Sequence, residues 1–256
     1  MTESNAESTS LPADASATPP LSQIERVVDT FVAPSKTFTD ILRNTSWWLP
    51  FLISVVLGYG FIFAVDKRVG WEQVVENSLK TNASQAARIN NAPADQQATI
   101  RNSMVLSYKG FSYGFPVLAL IGTAIAAAVL LGTLNFGFGG QAKFGQLFAV
   151  VIYAGLPGIF KSILGIIALF AGLNQESFQL QNPVGTNLGY YLPQETPKWL
   201  MSLATSLDVL TIWTIVLLVI GCGIVAKVKR GAAATAVVGW WVLLTLVSVG
   251  IAAISG

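Results

Sequence analysis

Histidine is absent from this chain of 256 residues, cysteine occurs once, and only 11% of the residues are charged. Without histidine there is no His-based general base or triad and no haem ligation by histidine. The single cysteine, Cys222, can form neither an intrachain disulfide nor a cysteine-rich zinc site. No acid and base are paired at a catalytic spacing either, so the sequence predicts a protein that is not an enzyme and has no cofactor and no metal site.

The low charge accompanies a high apolar content. Apolar residues make up 53% of the chain and the mean hydropathy is +0.60, whereas soluble domains are about one quarter charged. The net charge of +2 and the lack of a long basic run argue against a nucleic-acid partner. The composition instead predicts an integral membrane protein whose first partner is the lipid bilayer.

Five apolar segments are long enough to cross a bilayer, which takes about 20 helical residues. The predicted fold class is therefore an all-α, polytopic bundle of five transmembrane helices. Trp47, Trp48 and Trp199 stand at segment ends, where tryptophan anchors a helix in the membrane interface. The predicted spans cover residues 47–65, 113–136, 144–172, 203–226 and 232–254.

The third span is interrupted by Gly155, Pro157 and Gly158. Proline removes a backbone donor and frees a carbonyl, so these residues predict a helix break. One kinked, tilted helix is the favoured interpretation because the segment is long, and a re-entrant break is the alternative. A static kink and a hinge both remain open.

Basic residues near the helix ends give the orientation. The short loop before the fifth span holds Lys227, Lys229 and Arg230, which the positive-inside rule places in the cytoplasm. The N-terminus is then cytoplasmic and the C-terminus extracytoplasmic. Two helical stretches in the outer loop, 69–89 and 94–108, flank a turn at 90–93 and predict an extracytoplasmic helical hairpin.

The N-terminal region divides into two parts. Residues 1–20 are rich in Ser, Thr, Ala and Pro, and we expect them to be disordered. Residues 21–46 hold apolar side chains at helical spacing, which predicts amphipathic helices interrupted at Pro34. Such helices suit either the membrane interface or the cytosolic face of the protein's own bundle.

Two ionisable residues lie within the predicted spans. Asp208 lies nine residues after Trp199, about 13 Å along a helix, and Lys161 lies eleven residues before Gly172, about 16 Å from the same end. Charges inside a membrane need a partner or a task. We therefore predict an intramembrane pair of Lys161 and Asp208 that fixes helix packing. A proton or substrate site, or a water-exposed aspartate, is the alternative.

Several short tracts resemble the Yip family of polytopic membrane proteins, in its bacterial branch. They are VAPSKTF at 32–38, WWLP at 47–50, QAKFGQL at 141–147, YAGLP at 153–157, the tract 208–213, and Gly221. The resemblance covers about residues 27–239 and implies five spans, a cytosolic N-terminus and location in the bacterial inner (plasma) membrane. Eukaryotic members interact with Rab GTPases in vesicle traffic, but the resemblance transfers no activity to a bacterial member.

Two functional interpretations follow. The first is a non-catalytic membrane organiser or scaffold, which would recruit protein partners through its cytosolic N-terminal region and would also be able to self-associate as a homo-oligomer. The second is a small permease or channel that uses the Asp208 and Lys161 pair.

Overall fold

The computed structural model describes residues 19–193 and 195–254, and within those ranges it is helical, without a β-strand. The disorder predicted for residues 1–20 therefore falls, apart from its last two residues, outside the described part of the chain. Twelve α-helices are described in these ranges: α1 Gln23–Val32, α2 Pro34–Ile41, α3 Trp48–Arg68, α4 Trp71–Thr81, α5 Ala83–Asn90, α6 Ala94–Tyr113, α7 Phe115–Gly132, α8 Phe144–Ala154, α9 Gly158–Phe170, α10 Lys198–Ser206, α11 Val209–Val225 and α12 Arg230–Ile254.

Four stretches of the described chain are long and apolar enough to cross a membrane: Trp48–Arg68, Phe115–Gly137, Phe144–Phe170 and Arg230–Ile254. The second is α7 with a π-helical turn at Thr133–Gly137, and the third is α8 with α9. The fourth predicted span is represented by a shorter apolar helix, α11, of 17 residues. The exact count of five spans therefore stays a prediction.

The bundle has two distinct ends. We call the end that holds the loop between α11 and α12, with Lys227 and Lys229, the basic end. The end that holds α4, α5 and α6 is the hairpin end. Helix α11 contacts α2, α8 and α12, while α3 packs along α9 and α7 packs along α8. The main core therefore lies between α2, α7, α8, α11 and α12, with members such as Phe38, Leu147, Tyr153, Leu217 and Val225.

At the hairpin end, α4 packs against α5 and α6, and a cluster around Val75, Leu79 and Ile89 is buried between them. The loop between α9 and α10 is largely irregular, with 3₁₀ turns at Gln175–Ser177 and Leu188–Tyr191. The buried amide of Asn77 donates to the carbonyl oxygens of Gln175 (2.7 Å) and Phe178 (2.9 Å). These bonds dock the loop onto α4. That this end lies outside the cell stays a prediction.

The continuous helix predicted for 203–226 is instead two helices, α10 and α11, separated at Leu207 and Asp208. Hydropathy alone marks a region as apolar, and it does not show where the helical hydrogen bonds stop. Here they stop because the carboxylate of Asp208 satisfies the first free amides of α11, so a new helix begins.

Candidate functional site at two helix interruptions

The first interruption lies between α8 and α9, at residues 155–157. Gly155 ends α8, and Pro157 precedes Gly158, the first residue of α9. Pro157 has no N–H to donate, so the hydrogen-bond ladder of α8 cannot pass through it. The structure thus places Gly155, Pro157 and Gly158 at the break. Lys161 follows within the first turn of α9.

The second interruption is built around Asp208, the N-cap of α11. Its Oδ1 accepts hydrogen bonds from the backbone N–H groups of Leu210 (2.8 Å) and Thr211 (3.2 Å). An aspartate in this position stabilises a helix start and favours the positive end of the helix dipole. Asp208 is buried, with 3% of its surface exposed. Its first role in the fold is therefore to begin a helix inside the apolar bundle.

The second carboxylate oxygen of Asp208 joins the two interruptions. Its Oδ2 lies 3.0 Å from Nζ of Lys161 and accepts a hydrogen bond of 2.9 Å from Oγ1 of Thr186. The backbone N–H of Val209 donates to the carbonyl of Thr186 at 3.0 Å. The structure therefore brings Lys161 and Asp208 together, and the loop between α9 and α10 reaches down to the same point.

The two partners of this pair differ in accessibility. The side chain of Asp208 is 4% exposed, and that of Lys161 is 35% exposed. A cavity of about 150 Å³ lies beside them, and it is also lined by Gly158, Leu210, Thr211 and Thr214. An ammonium group carries three N–H donors, and only one is used by Asp208 in the described residues. The site can therefore offer hydrogen bonds to a small polar or anionic group.

A second ion pair, which the sequence analysis did not predict, lies between α1 and α2. Nη2 of Arg26 lies 2.6 Å from Oδ2 of Asp40, and both side chains are buried, at 1% and 6% exposed. Nε of Arg26 donates to the same oxygen at 2.7 Å. The sequence carries a signal for the pair, because Arg26 and Asp40 each lie seven residues from Ala33, where the chain turns.

This buried pair also ties the N-terminal helices to the bundle. Nη1 of Arg26 donates to the carbonyl oxygens of Asn44 (2.9 Å) and Ser46 (3.4 Å), just before α3. The hydroxyl of Tyr153 in α8 donates to the Ser46 carbonyl at 3.2 Å. Because a buried charge is costly without such partners, the network fixes α1, α2, α3 and α8 in one arrangement.

The turn between α1 and α2 points into the bundle. The ring of Phe31 contacts those of Phe160 and Trp213, with centroids 5.6 and 5.5 Å apart. The ring of Phe38 lies against Gly221, where an added Cβ would be 3.1 Å away. Trp213 and Gly221 are separated by about 12 Å along α11. We call α1 and α2 the inserted hairpin, because they enter the bundle from its basic end.

One face of the inserted hairpin remains uncovered. Ile24, Val28 and Val32 follow one another at intervals of four residues along α1, and they are 71%, 52% and 73% exposed. We call these three residues the outer stripe. The sequence leaves open whether these helices lie in the membrane interface or pack on the protein. In the structure α2 and one face of α1 pack on the protein, while the outer stripe stays open.

The start of α1 is held by a capping box. The Ser22 backbone N–H donates to Oε2 of Glu25 (2.7 Å), and the Glu25 N–H donates to Oγ of Ser22 (3.2 Å). The Ser22 backbone N–H, and after it the Ser22 side chain, stabilise the carboxylate and lower the pKa of Glu25 below its ordinary value. The charged form of Glu25 is therefore part of the folded arrangement.

The three predicted interface tryptophans are in different surroundings. Trp47 packs edge-on against Phe51 and Phe148, with centroids 5.7 and 5.2 Å apart. Trp48 and Trp199 are exposed. Trp47 is partly exposed, and the location of all three rings in the membrane interface stays a prediction.

The described residues contain no group of three or more Cys, Asp or Glu side chains placed to hold a metal ion.

The family model described as the Yip1 domain matches residues 28–252. No curated protein and no solved structure matches the chain.

Proposed function

This chain belongs to the Yip1 domain family, and from that premise we propose that it is a non-catalytic membrane organiser which acts through its inserted hairpin. The observation that carries the proposal is the outer stripe of Ile24, Val28 and Val32 on a helix held rigidly by the Arg26–Asp40 pair. An amphipathic helix with an open apolar face inserts into one leaflet of a bilayer.

The direction of insertion follows from the charge distribution. We propose that the basic end faces the cytoplasm of a bacterial cell, since the tightest cluster of lysine and arginine lies in its loop before α12. The outer stripe then lies in the cytoplasmic leaflet of the inner membrane. A rigid apolar wedge in one leaflet displaces lipid there and not in the other, so it favours curvature.

The same hairpin also supports the recruitment of partners. The chain that precedes α1 emerges beside the outer stripe, so a protein bound to residues 1–18 would be held at the membrane surface. Deleting residues 1–18 leaves the capping box of Ser22 and Glu25 in place. We expect that this deletion abolishes capture of a cytosolic partner while the membrane domain keeps its thermal stability.

The wedge is tested by reconstitution into vesicles. We expect the wild-type chain to lower the mean vesicle diameter and the variant Ile24→Ala/Val28→Ala/Val32→Ala to lose this effect. A matched control is Leu243→Ala/Val247→Ala/Ile251→Ala in α12, which has the same spacing and is 47%, 52% and 63% exposed. Vesicles with the control variant should resemble those with the wild type. Equal diameters for all three proteins and for protein-free vesicles would refute the proposal.

A small permease is the second candidate, and one observation favours it. Two interrupted helices meet at Lys161 and Asp208 beside a cavity, and broken helices of this kind frame substrate sites in transporters. The variant Asp208→Asn removes the charge and keeps a capping side chain. Ion or solute flux into vesicles that is present in the wild type and lost in this variant would favour the permease over the organiser.

A further inference from the structure

A large cavity lies at the hairpin end. It has a volume of about 810 Å³ and is enclosed by the end of α4, the loop between α9 and α10, helix α10 and Ser248 of α12. A second cavity of about 320 Å³ adjoins it and shares Thr81, Gln181 and Lys198 with it. Together they are large enough for a ligand of one to two sugar rings.

Most side chains that line the larger cavity carry a polar group, and almost none of them is charged. Among the described residues that line it, hydroxyl and amide side chains predominate, Lys198 is the single charged residue, and no carboxylate is present. Only Gly189, Leu192 and Met201 lack a polar side chain there. Polar neutral donors and acceptors in this density fit a neutral ligand that carries many hydroxyl groups.

Several of these groups are held in place by the fold and still have bonding capacity left. Gln181 donates through Nε2 to the hydroxyl of Tyr108 at 3.3 Å, and Gln179 donates through Nε2 to the carbonyl of Asn77 at 3.4 Å. In the described residues neither Oε1 accepts a hydrogen bond. Both amides thus present a positioned acceptor to the hydroxyl groups of a ligand.

Tyr190 adds an aromatic surface to the same cavity. Its backbone is fixed by a hydrogen bond of 3.0 Å to the side chain of Asn187, and its ring meets that of Tyr191 edge-on at 5.4 Å. The ring is exposed. An aromatic face beside hydroxyl and amide groups receives the apolar face of a sugar while the polar groups bind its hydroxyls.

The cavity also reaches into the membrane region. Ser248 of α12 lines it and lies about 9 Å along the helix from Ile254. Ser202 of α10, another lining residue, shares a hydrogen bond of 3.0 Å with Ser248. Trp199, one turn earlier in α10, is exposed. A ligand in this place can keep an acyl chain in lipid while its head group lies in the polar cavity.

From this arrangement we propose that the cavity at the hairpin end binds a carbohydrate, either as the head group of a glycolipid or as a free saccharide. The positioned amides of Gln179 and Gln181 and the ring of Tyr190 form the sugar site. Lys198 stands at the boundary of the two cavities.

The experiment measures binding to the full chain in phosphatidylcholine nanodiscs, prepared with a detergent that has no sugar head group. Three probes are compared: monoglucosyl diacylglycerol, soluble maltose, and phosphatidylglycerol as an anionic lipid without a sugar. Native mass spectrometry measures lipid retention and calorimetry measures maltose binding. Retention of the glucosyl lipid alone identifies a glycolipid site, and binding of maltose as well identifies a saccharide site.

Variants place the ligand in the cavity. We expect Gln181→Ala to raise the dissociation constant by about three- to tenfold, the effect of one neutral hydrogen bond. Tyr190→Ala should raise it by about tenfold, and Tyr190→Phe should leave it unchanged because the ring is kept. Gln175→Ala, an exposed glutamine in the same loop, is the matched control and should bind as the wild type does.

Three outcomes would overturn the proposal. The first is that neither the glucosyl lipid nor maltose binds the wild-type chain. The second is that phosphatidylglycerol is retained as well as the glucosyl lipid, which would show a charge site around Lys198. The third is that sugar binding is the same in Gln181→Ala and Tyr190→Ala as in Gln175→Ala.

Discussion

Two ion pairs hold this bundle together, and they are built differently. Arg26 and Asp40 are both buried, at 1% and 6% exposed, whereas Lys161 is 35% exposed and its partner Asp208 only 4%. The planar guanidinium of Arg26 bonds the carboxylate through two nitrogens and also bonds two backbone carbonyls. The ammonium of Lys161 makes one contact and borders a cavity.

The difference shows that the Arg26–Asp40 pair serves to fix the helices, whereas the Lys161–Asp208 pair keeps unused hydrogen-bonding capacity. Arginine suits a buried pair because its fork matches a carboxylate, and lysine keeps a more mobile, better hydrated charge. At the basic end, each of the three guanidinium nitrogens of Arg26 already contacts an oxygen of the described residues. At the interrupted helices, Lys161 retains donors toward the cavity. The first pair therefore supports the proposed organiser role, and the second is the site that the alternative proposal, a permease, would use.

Removing one member of the buried pair should have the largest effect. Arg26→Met leaves the Asp40 carboxylate buried without its cation, and such a change costs about 3–5 kcal/mol of unfolding free energy. The measurement is thermal unfolding of the detergent-solubilised chain. Arg26→Met/Asp40→Leu should recover a large part of the loss, because an apolar replacement leaves no unpaired charge. Equal stability of the wild type and the single variant would show that the ion pair does not stabilise the fold.

The sequence predicted the partly exposed Lys161–Asp208 pair and not the buried Arg26–Asp40 pair. Lys161 and Asp208 stand out because each is a charge in an apolar segment, and counting helical rise places them at similar depth. Arg26 lies in a stretch that the sequence predicts only to be amphipathic, so nothing in the apolar spacing marks it as buried. Only the folding of α2 onto α1 at Ala33 buries it. A charge that is buried by a neighbouring helix leaves no trace in the hydropathy of its own helix.

Most of the helical architecture could be predicted from the sequence, because long apolar segments are visible in the sequence itself. Apolar length predicts where a helix crosses the membrane, and the observed helices α3, α7, α8 with α9, and α12 follow the predicted segments closely. The break at Asp208 was missed because hydropathy marks the whole segment as apolar, and it does not show that Asp208 caps the amides of Leu210 and Thr211. The cavity at the hairpin end was not readable either, since its walls come from three separate parts of the chain: Thr81, residues 177–206 and Ser248.

Removing the Asp208 side chain should have the next largest effect. Asp208→Ala removes the cap of α11 and the partner of Lys161 and Thr186, for a loss of about 2 kcal/mol. Asp208→Asn retains a capping side chain and should lose less than half as much. The measurement is the midpoint of thermal unfolding for both variants in the same detergent. If the two variants are equally destabilised, the charge matters and the cap does not.

Removing the Lys161 ammonium should have a smaller effect than removing Asp208. In Lys161→Met the carboxylate keeps its bonds to Leu210, Thr211 and Thr186, and the lost pair was partly exposed, so the expected cost is about 1 kcal/mol. Combining Lys161→Met with Asp208→Asn gives a double-mutant cycle. A coupling free energy of zero would show that the contact contributes no stability. Of the two pairs compared, only that of Arg26 and Asp40 would then stabilise the fold.

The smallest effect should come from a substitution of Glu25 at the start of the inserted hairpin. It tests whether a charge outside the buried Arg26–Asp40 pair contributes to stability at the basic end. Folding lowers the pKa of Glu25, because the Ser22 backbone N–H stabilises the carboxylate. A lowered pKa means that the stabilisation is present above the ordinary glutamate pKa and is lost as the pH falls through the lowered value.

Glu25→Gln should therefore unfold at a slightly lower temperature than the wild type at neutral pH. The difference should vanish in strong acid, where both side chains are neutral. Thermal unfolding of the two proteins from pH 7 downward measures this, and Glu72→Gln, a substitution of an exposed glutamate in the first turn of α4, controls for the general loss of one negative charge. A difference that stays constant down to the lowest pH would mean that the side-chain shape at the cap matters and its charge does not.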